Sequence, residues 1–284
     1  MRTNPDDETW GGLVEYSHDL GPHVAASYAY RNEGHSPSHH RDGHSVQLWA
    51  MSGNPDGLSV RAGLGAYRFF DTTVAENPEG FGNAHGWGTL ASAAVRWHPA
   101  GSRWTWELRA DRMFAHESFD SMQVMAGAGF ALDQDGSFRS NAAPRVHDNE
   151  FNVLAGKTIV NSFESENATS SSIEIRHAFG PVLRASAAWV NEGDAQLIRR
   201  NGLLTELWLE PSFSHDRYTL GLGIGPYFAI DETYRSGPRV QGVISTTFSW
   251  HVDRRWALRV TWHRISSNYD RDSDIVLAGV GYRF

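Results

Sequence analysis

Apolar and polar residues alternate with a period of two along almost the whole chain. Leu58-Ser-Val-Arg-Ala-Gly-Leu-Gly-Ala66, Trp104-Thr-Trp-Glu-Leu-Arg-Ala-Asp111 and Trp256-Ala-Leu-Arg-Val-Thr-Trp262 are clear cases. Successive side chains of a strand point to opposite faces, so this periodicity predicts strands with one apolar and one mixed face. Fifteen strands are predicted, near 10–18, 23–31, 44–52, 57–70, 87–98, 103–114, 121–132, 149–161, 170–179, 182–191, 202–213, 217–230, 239–250, 256–266 and 273–284. Tight connections such as Asp19-Leu-Gly-Pro22, Asn54-Pro-Asp-Gly57 and His251-Val-Asp253 carry hairpin-turn residues. They alternate with longer polar loops at 32–43, 71–86, 192–201 and 231–238, while 133–148 is long where its neighbours are short.

The strands also repeat. Residues 14–49 laid over 173–208 at a constant offset of 159 give fourteen identities in 36 pairs, among them Glu15/Glu174, Ser27/Ser186, Glu33/Glu192, Arg41/Arg200 and Trp49/Trp208. Chance would give about two, so the pattern reads as an internal duplication. The correspondence continues with small slips through Gly65-Ala-Tyr67 and Gly225-Pro-Tyr227, Asp71 and Asp231, and Asp120-Ser121 and Asp272-Ser273. It predicts one domain over 1–284 made of pseudo-repeats 10–132 and 169–284, joined through 133–168.

Composition narrows the class. There is no run of 18 apolar residues, so no helical membrane span is predicted. Cysteine is absent, which excludes thiol chemistry and disulfides, and a formal charge of −8 argues against a nucleic-acid partner. Gly 28 and Trp 11 suit strands and turns. Ten-residue alternating segments joined by turns that are short on one side and long on the other are the pattern of a transmembrane barrel.

The last strand, Asp274-Ile-Val-Leu-Ala-Gly-Val-Gly-Tyr-Arg-Phe284, sets Val280, Tyr282 and Phe284 on one face and ends on an aromatic. It resembles the C-terminal insertion signal of Gram-negative outer-membrane barrels. That resemblance implies residence in the bacterial outer membrane, with lipid and the barrel-assembly machinery as partners. The expected fold is therefore an all-β, antiparallel up-and-down barrel of about 16 strands, 15 of them visible, built from a duplicated 8-strand unit. Parity and the repeat place the remaining strand, and an export signal, upstream of Met1.

Alternation assigns an inward set present in both halves: Glu15, Glu33, Arg41, Trp49, Tyr67, Asp71 and Arg109 in the first, Glu174, Glu192, Arg200, Trp208, Tyr227, Asp231 and Arg259 in the second. Charges of both signs on that face need water or partners, and a sixteen-strand barrel would leave an aqueous channel. Inward aromatics beside carboxylates and guanidinium groups suit sugars, against the alternative that the charges form ladders that only stiffen the wall. The architecture looks like the C-terminal barrel of exopolysaccharide-secretion porins, which implies a saccharide-translocating pore and a periplasmic helical-repeat scaffold as partner. A general diffusion porin, with 133–148 as its constricting loop, and a non-conducting receptor or adhesin barrel are the alternatives.

Other chemistry finds little support. His35, His39, His40 and His44 crowd one loop with Asp42, yet 194–201 in the second half has no histidine, so no metal site or cofactor is assigned. Asp270, Asp272 and Asp274 lack the glycine and distal glutamate of a calcium loop. His263-Arg-Ile-Ser-Ser-Asn268 faintly resembles the His-x-Ser-Asn stretch of outer-membrane lipid A deacylases, but the residue two before Ser267 is Ile265. No enzyme is predicted, because no base is spaced to reach a nucleophile.

Overall fold

A computed structural model of the chain describes residues 8–53, 56–77, 80–132, 148–164, 166–214, 216–234 and 240–284. The described residues form strands and turns, and none of their helices is long and apolar enough to cross a membrane. The strands are β1 (Gly12–Gly21), β2 (Val24–Ser36), β3 (His39–Gly53), β4 (Gly57–Val74), β5 (Phe81–His98), β6 (Trp104–Ala115), β7 (Ser121–Phe130), β8 (Asn149–Val160), β9 (Asn167–Ala178), β10 (Leu183–Asp194), β11 (Arg199–Leu209), the two-residue β12 (Ser212–Phe213), β13 (Tyr218–Asp231), β14 (Val240–His251), β15 (Trp256–Ser266) and β16 (Ser273–Arg283). The constricting-loop candidate at 133–148 lies outside the described residues, apart from Asp148.

Two compact units divide the chain, Met1–Gly136 and Ser137–Phe284. In the first, β1 to β7 pair antiparallel in chain order, which leaves β1 and β7 as sheet edges among the described residues. In the second, the order β11-β10-β9-β8-β16-β15-β14-β13 is closed by a further pairing of β11 with β13. That is a complete eight-stranded antiparallel barrel.

The strands therefore do not join into the single sheet of sixteen expected from the sequence. The reason lies in β8. One of its edges pairs with β16 from Val160↔Ser273 to Glu150↔Arg283, and the other pairs with β9 from Asn149↔His177 to Ile159↔Asn167. Both rows of backbone groups are used, and no edge remains to continue the sheet from β7.

The loops read as 32–43 and 192–201 are largely strand. β2 and β3 stay paired out to Ser36↔His39, and β10 and β11 out to Asp194↔Arg199. Asn-Glu-Gly does not end a strand in either place but forms a bulge. The register shifts between Asn32 and His35 and between Asn191 and Gly193. Gly34 and Gly193 take left-handed φ of 85° and 77°, and each N–H is accepted by the Oδ1 of the preceding Asn32 or Asn191, at 2.7 and 2.9 Å. A bulge of this kind re-aims a side chain; here it sets Glu33 and Glu192 beside Arg41 and Arg200 on the buried face.

Both units are inverted relative to a water-soluble sheet. Val46, Leu48, Leu64, Ile173, Leu207, Ile224, Val260 and Val276 lie exposed on the outer faces, while Arg31, Arg41, Arg176, Arg200 and Arg259 are at most 1% exposed. Trp97, Trp104, Trp106, Trp250 and Trp256 gather exposed at the tight-turn ends. An apolar outer band edged by aromatics is the surface of a barrel solvated by lipid, whereas soluble monomers rarely expose such contiguous patches. In the turn after β14, Asp253 accepts the N–H groups of Arg255 and Trp256, both at 2.7 Å, which hold its carboxyl below the usual carboxylate range.

Candidate functional site: the filled interior of each unit

Three layers of inward side chains occupy each unit, and many contacts in one have a counterpart in the other. Nearest the long-loop end, the Arg41 guanidinium grips Glu33 with both forks, Nε to Oε1 at 2.9 Å and Nη2 to Oε2 at 2.6 Å. Tyr67 donates its hydroxyl to the same Glu33 at 2.5 Å, and Ser121 donates to it as well. Ser118 accepts from Arg41 at 3.0 Å and donates to Asp71 at 2.8 Å, joining the cation to a second carboxylate.

In the second unit Arg200 holds Glu192 at 2.5 and 2.9 Å, and Ser273 again bridges the pair, accepting from Arg200 at 2.7 Å and donating to Glu192 at 2.8 Å. Tyr269 takes the part of Ser118, accepting from Arg200 at 3.1 Å and donating to Asp231 at 3.1 Å. Burial raises the Tyr269 phenol above its ordinary pKa. Tyr227 is fully buried in this layer.

The middle layer is built on tryptophan. Trp49 Nε1 donates to Ser27 Oγ and Trp208 Nε1 to Ser186 Oγ, each at 2.9 Å. Guanidinium groups cover the rings: Arg61 and Arg109 lie 3.9 and 4.6 Å from the Trp49 centroid, and Arg176 lies 4.4 Å from that of Trp208. Both indoles are 1% exposed, so their faces stack on the protein's own cations and are not open to a sugar. Replacing Ser186 by Ala would leave the buried Trp208 N–H without its acceptor. The expected cost is about 1–3 kcal/mol of unfolding free energy, read as a lower urea midpoint for protein refolded in detergent.

The third layer is ionic. In the first unit Glu15 binds Arg109 at 2.6 Å and Arg61 at 3.0 Å, and Asp111 binds Arg31 at 2.6 Å and Arg109 at 2.7 Å. In the second, Glu210 meets Arg176 at 2.7 Å, Arg184 at 3.2 Å and Arg259 at 3.7 Å, while Glu150 takes Arg259 at 2.6 Å and Arg283 at 3.1 Å. Glu174 lies 3.9 Å from Arg176 and accepts from Asn152 at 3.1 Å.

Of the fourteen inward residues twelve are buried, while Glu15 and Asp231 are half-buried beside Arg109 and Tyr269. Ser27, Ser186, Ser121 and Ser273 were not singled out as functional. Their signal lies in the identities Ser27/Ser186 and Ser121/Ser273 of the two repeat alignments.

The remaining candidate sites separate. The four histidines divide among three surroundings: the His35 ring lies tilted against that of His40 at 3.9 Å between centroids, His39 binds Asp71 at 3.0 Å, and His44 meets the Tyr28 hydroxyl at 2.6 Å. Among the described residues no group of three or more metal-ligating side chains gathers. Asp272 accepts the Ser267 N–H at 2.6 Å, whereas Asp274 faces outward to Arg264 and Trp262. His263 does not meet Ser267. It binds Ser245 at 2.7 Å and lies 3.7 Å from Glu206, all three at most 4% exposed inside the closed barrel.

No family model matches the chain, and no curated protein matches it in sequence. Among solved structures it is similar to the KdgM porin in complex with disordered oligogalacturonate, at 11% identity over 92% of this chain and 99% of the other, with a TM-score of 0.22. It is similar to the translocator domain of the autotransporter NalP from Neisseria meningitidis, at 14% identity over 96% and 79%, with a TM-score of 0.23. The CymD monoaromatic hydrocarbon channel stands at 10% identity over 96% and 85%, with a TM-score of 0.23.

Proposed function

We propose that this chain is a bacterial outer-membrane β-barrel protein whose second unit is sealed by its own side chains and does not conduct, so that it presents its long-loop rim as a receptor or adhesin surface. The observation that carries the reading is the closure of eight strands around an interior filled by Trp208, Tyr227, Arg176, Arg200 and Arg259, each at most 1% exposed. An eight-stranded barrel is just wide enough for side chains to fill it, and here Arg200 with Glu192, Arg176 with Glu210 and Arg259 with Glu150 form hydrogen-bonded charge pairs. The exposure of Val280 and Phe284 on the outer face supports the last strand as the insertion face.

The test is electrical recording from planar bilayers containing purified protein. No stepwise conductance above that of the bare bilayer is expected. Steady ohmic steps would overturn the proposal and restore a conducting pore, the reading drawn from the sequence and the activity named for two of the similar structures. Block of such steps by an added oligosaccharide would then point to a saccharide channel, and a sealed bilayer would remove the saccharide-export reading along with the general porin.

A further inference from the structure

In the first unit β1 and β7 each keep one unpaired edge among the described residues. Seven strands paired antiparallel in chain order leave these two running in the same direction, so one strand antiparallel to both would close the ring. In the second unit β8 holds that place, between β16 on one side and β9 on the other. The repeat equates β7 with β16 and β1 with β9, as Ser121 with Ser273 and Glu15 with Glu174.

Two glycines of β7 mark where such a strand would lie. Gly127 and Gly129 are identical to Gly279 and Gly281 at the offset of 152. In the second unit these glycines lie against β8: a Cβ at Gly279 would collide with the Val153 carbonyl oxygen, and one at Gly281 with Asn152 Oδ1. In the first unit a Cβ at Gly127 would have nothing within 4 Å, and one at Gly129 would meet Thr105 of β6 at 3.8 Å. A glycine inside a strand often marks the close approach of another backbone, and β7 carries both glycines with that side open.

The interior behind this gap states what side chain the strand should bring. Arg31 is fully buried and its Nη1 donates to Asp111 at 2.6 Å, but Nε and Nη2 find no acceptor among the described residues. Its counterpart in the repeat is Val190, and that of its neighbour Gln123 is Ile275. Val190 and Ile275 belong to one buried cluster with Leu154 of β8. The first unit thus sets a guanidinium and an amide where the second sets two apolar members of a trio whose third comes from β8. An acidic or amide side chain at the position of Leu154 is what this pair calls for, because a guanidinium only donates and an orphaned buried donor costs free energy. Arg109 points the same way: its counterpart Arg259 takes Glu150 of β8, whereas Arg109 itself takes Glu15 of β1.

We propose that the gap between β1 and β7 binds one extended strand of a partner polypeptide, antiparallel to both edges, with apolar side chains outward and an acidic or amide side chain toward Arg31. Main-chain hydrogen bonds along two edges supply the affinity and the inward side chain the selectivity, as in other recognition by strand addition. Unpaired N–H and C=O groups are costly beside hydrocarbon, which favours an occupied gap. A second copy inserted in the same orientation would offer β1 or β7 only a parallel edge, whereas both edge strands pair antiparallel with their neighbours.

The test titrates a fluorescent peptide of the β8 sequence, Asn149–Val160, and its Leu154→Asp form into the whole chain refolded in detergent, read by anisotropy. The Leu154→Asp peptide should bind about tenfold more tightly than the unaltered one, the worth of one charged hydrogen bond. Arg31→Val, which gives position 31 the side chain of its counterpart, should reverse that preference. Gly127→Val should abolish binding of both peptides and leave the heat-modifiable folded band intact, because only an incoming strand meets the added side chain. Saturable binding that ignores Gly127→Val would overturn the gap as the site, and no saturable binding of either peptide would overturn the proposal outright. A refolded dimer that the peptides do not dissociate would overturn it in favour of a second copy. Conduction by the second unit, the failure of the reading above, would leave all of these results unchanged.

Discussion

Glu210→Gln is expected to destabilise the second unit by about 3–5 kcal/mol, the usual cost of breaking a buried ion pair by removing one partner. Glu210 is fully buried and is the shared counter-charge of Arg176, Arg184 and Arg259. Its other oxygen accepts from Thr219 at 2.9 Å. The amide keeps the volume but removes the charge, and it turns an N–H group toward guanidinium groups that can only donate. Arg259 retains Glu150 and Arg176 retains the distant Glu174, but three cations in one layer lose their common anion. The readout is the urea midpoint of detergent-refolded protein, with heat-modifiable migration as the folding check. An unchanged midpoint would mean that water, and not Glu210, screens these arginines, and the interior would then be wet enough to reopen the question of conduction.

The second large effect is steric. A Cβ added at Gly225 would lie 1.8 Å from the carbonyl oxygen of Thr205, a backbone atom that cannot swing aside. Gly225 sits in β13 opposite β11, and the β11–β13 pairing is the one that completes the barrel. Gly225→Val is therefore expected to cost about 3 kcal/mol or more, at the upper end of overpacking, and to abolish the heat-modifiable folded band. Gly242→Ala, where no atom lies within 4 Å of the added carbon, is the control and should fold normally. A stable, folded Gly225→Val protein would show that β11 and β13 need not touch at this point for the barrel to close.

Much of the fold was legible because alternation is a local property. Period two fixed which side chains of Trp104–Asp111 or Trp256–Trp262 share a face. Which edges meet is not local. A strand pattern is the same whether β8 follows β7 in a sheet of sixteen or turns to pair with β16, and nothing in Asn149–Val160 itself distinguishes the two. Lumen width follows from strand number, so the inferred aqueous channel depended on the same unseen choice. The Asn-Glu-Gly bulge was visible as a repeated tripeptide, but a glycine in left-handed conformation can close a strand or kink one, and the sequence does not say which.

The pairing of β8 with β16 also sets the order of events when the second unit forms. Its partners lie between 113 residues apart, for Val160 and Ser273, and 133 apart, for Glu150 and Arg283. Every other strand pair in this unit except β11–β13 joins neighbours in sequence, so hairpins can form locally while this seam cannot. Closing so long a loop is the slow, non-local step of folding. Until β16 has docked, β8 presents a row of unpaired N–H and C=O groups that hydrocarbon could not satisfy. The unit is thus a ribbon of hairpins until β16 arrives to close it.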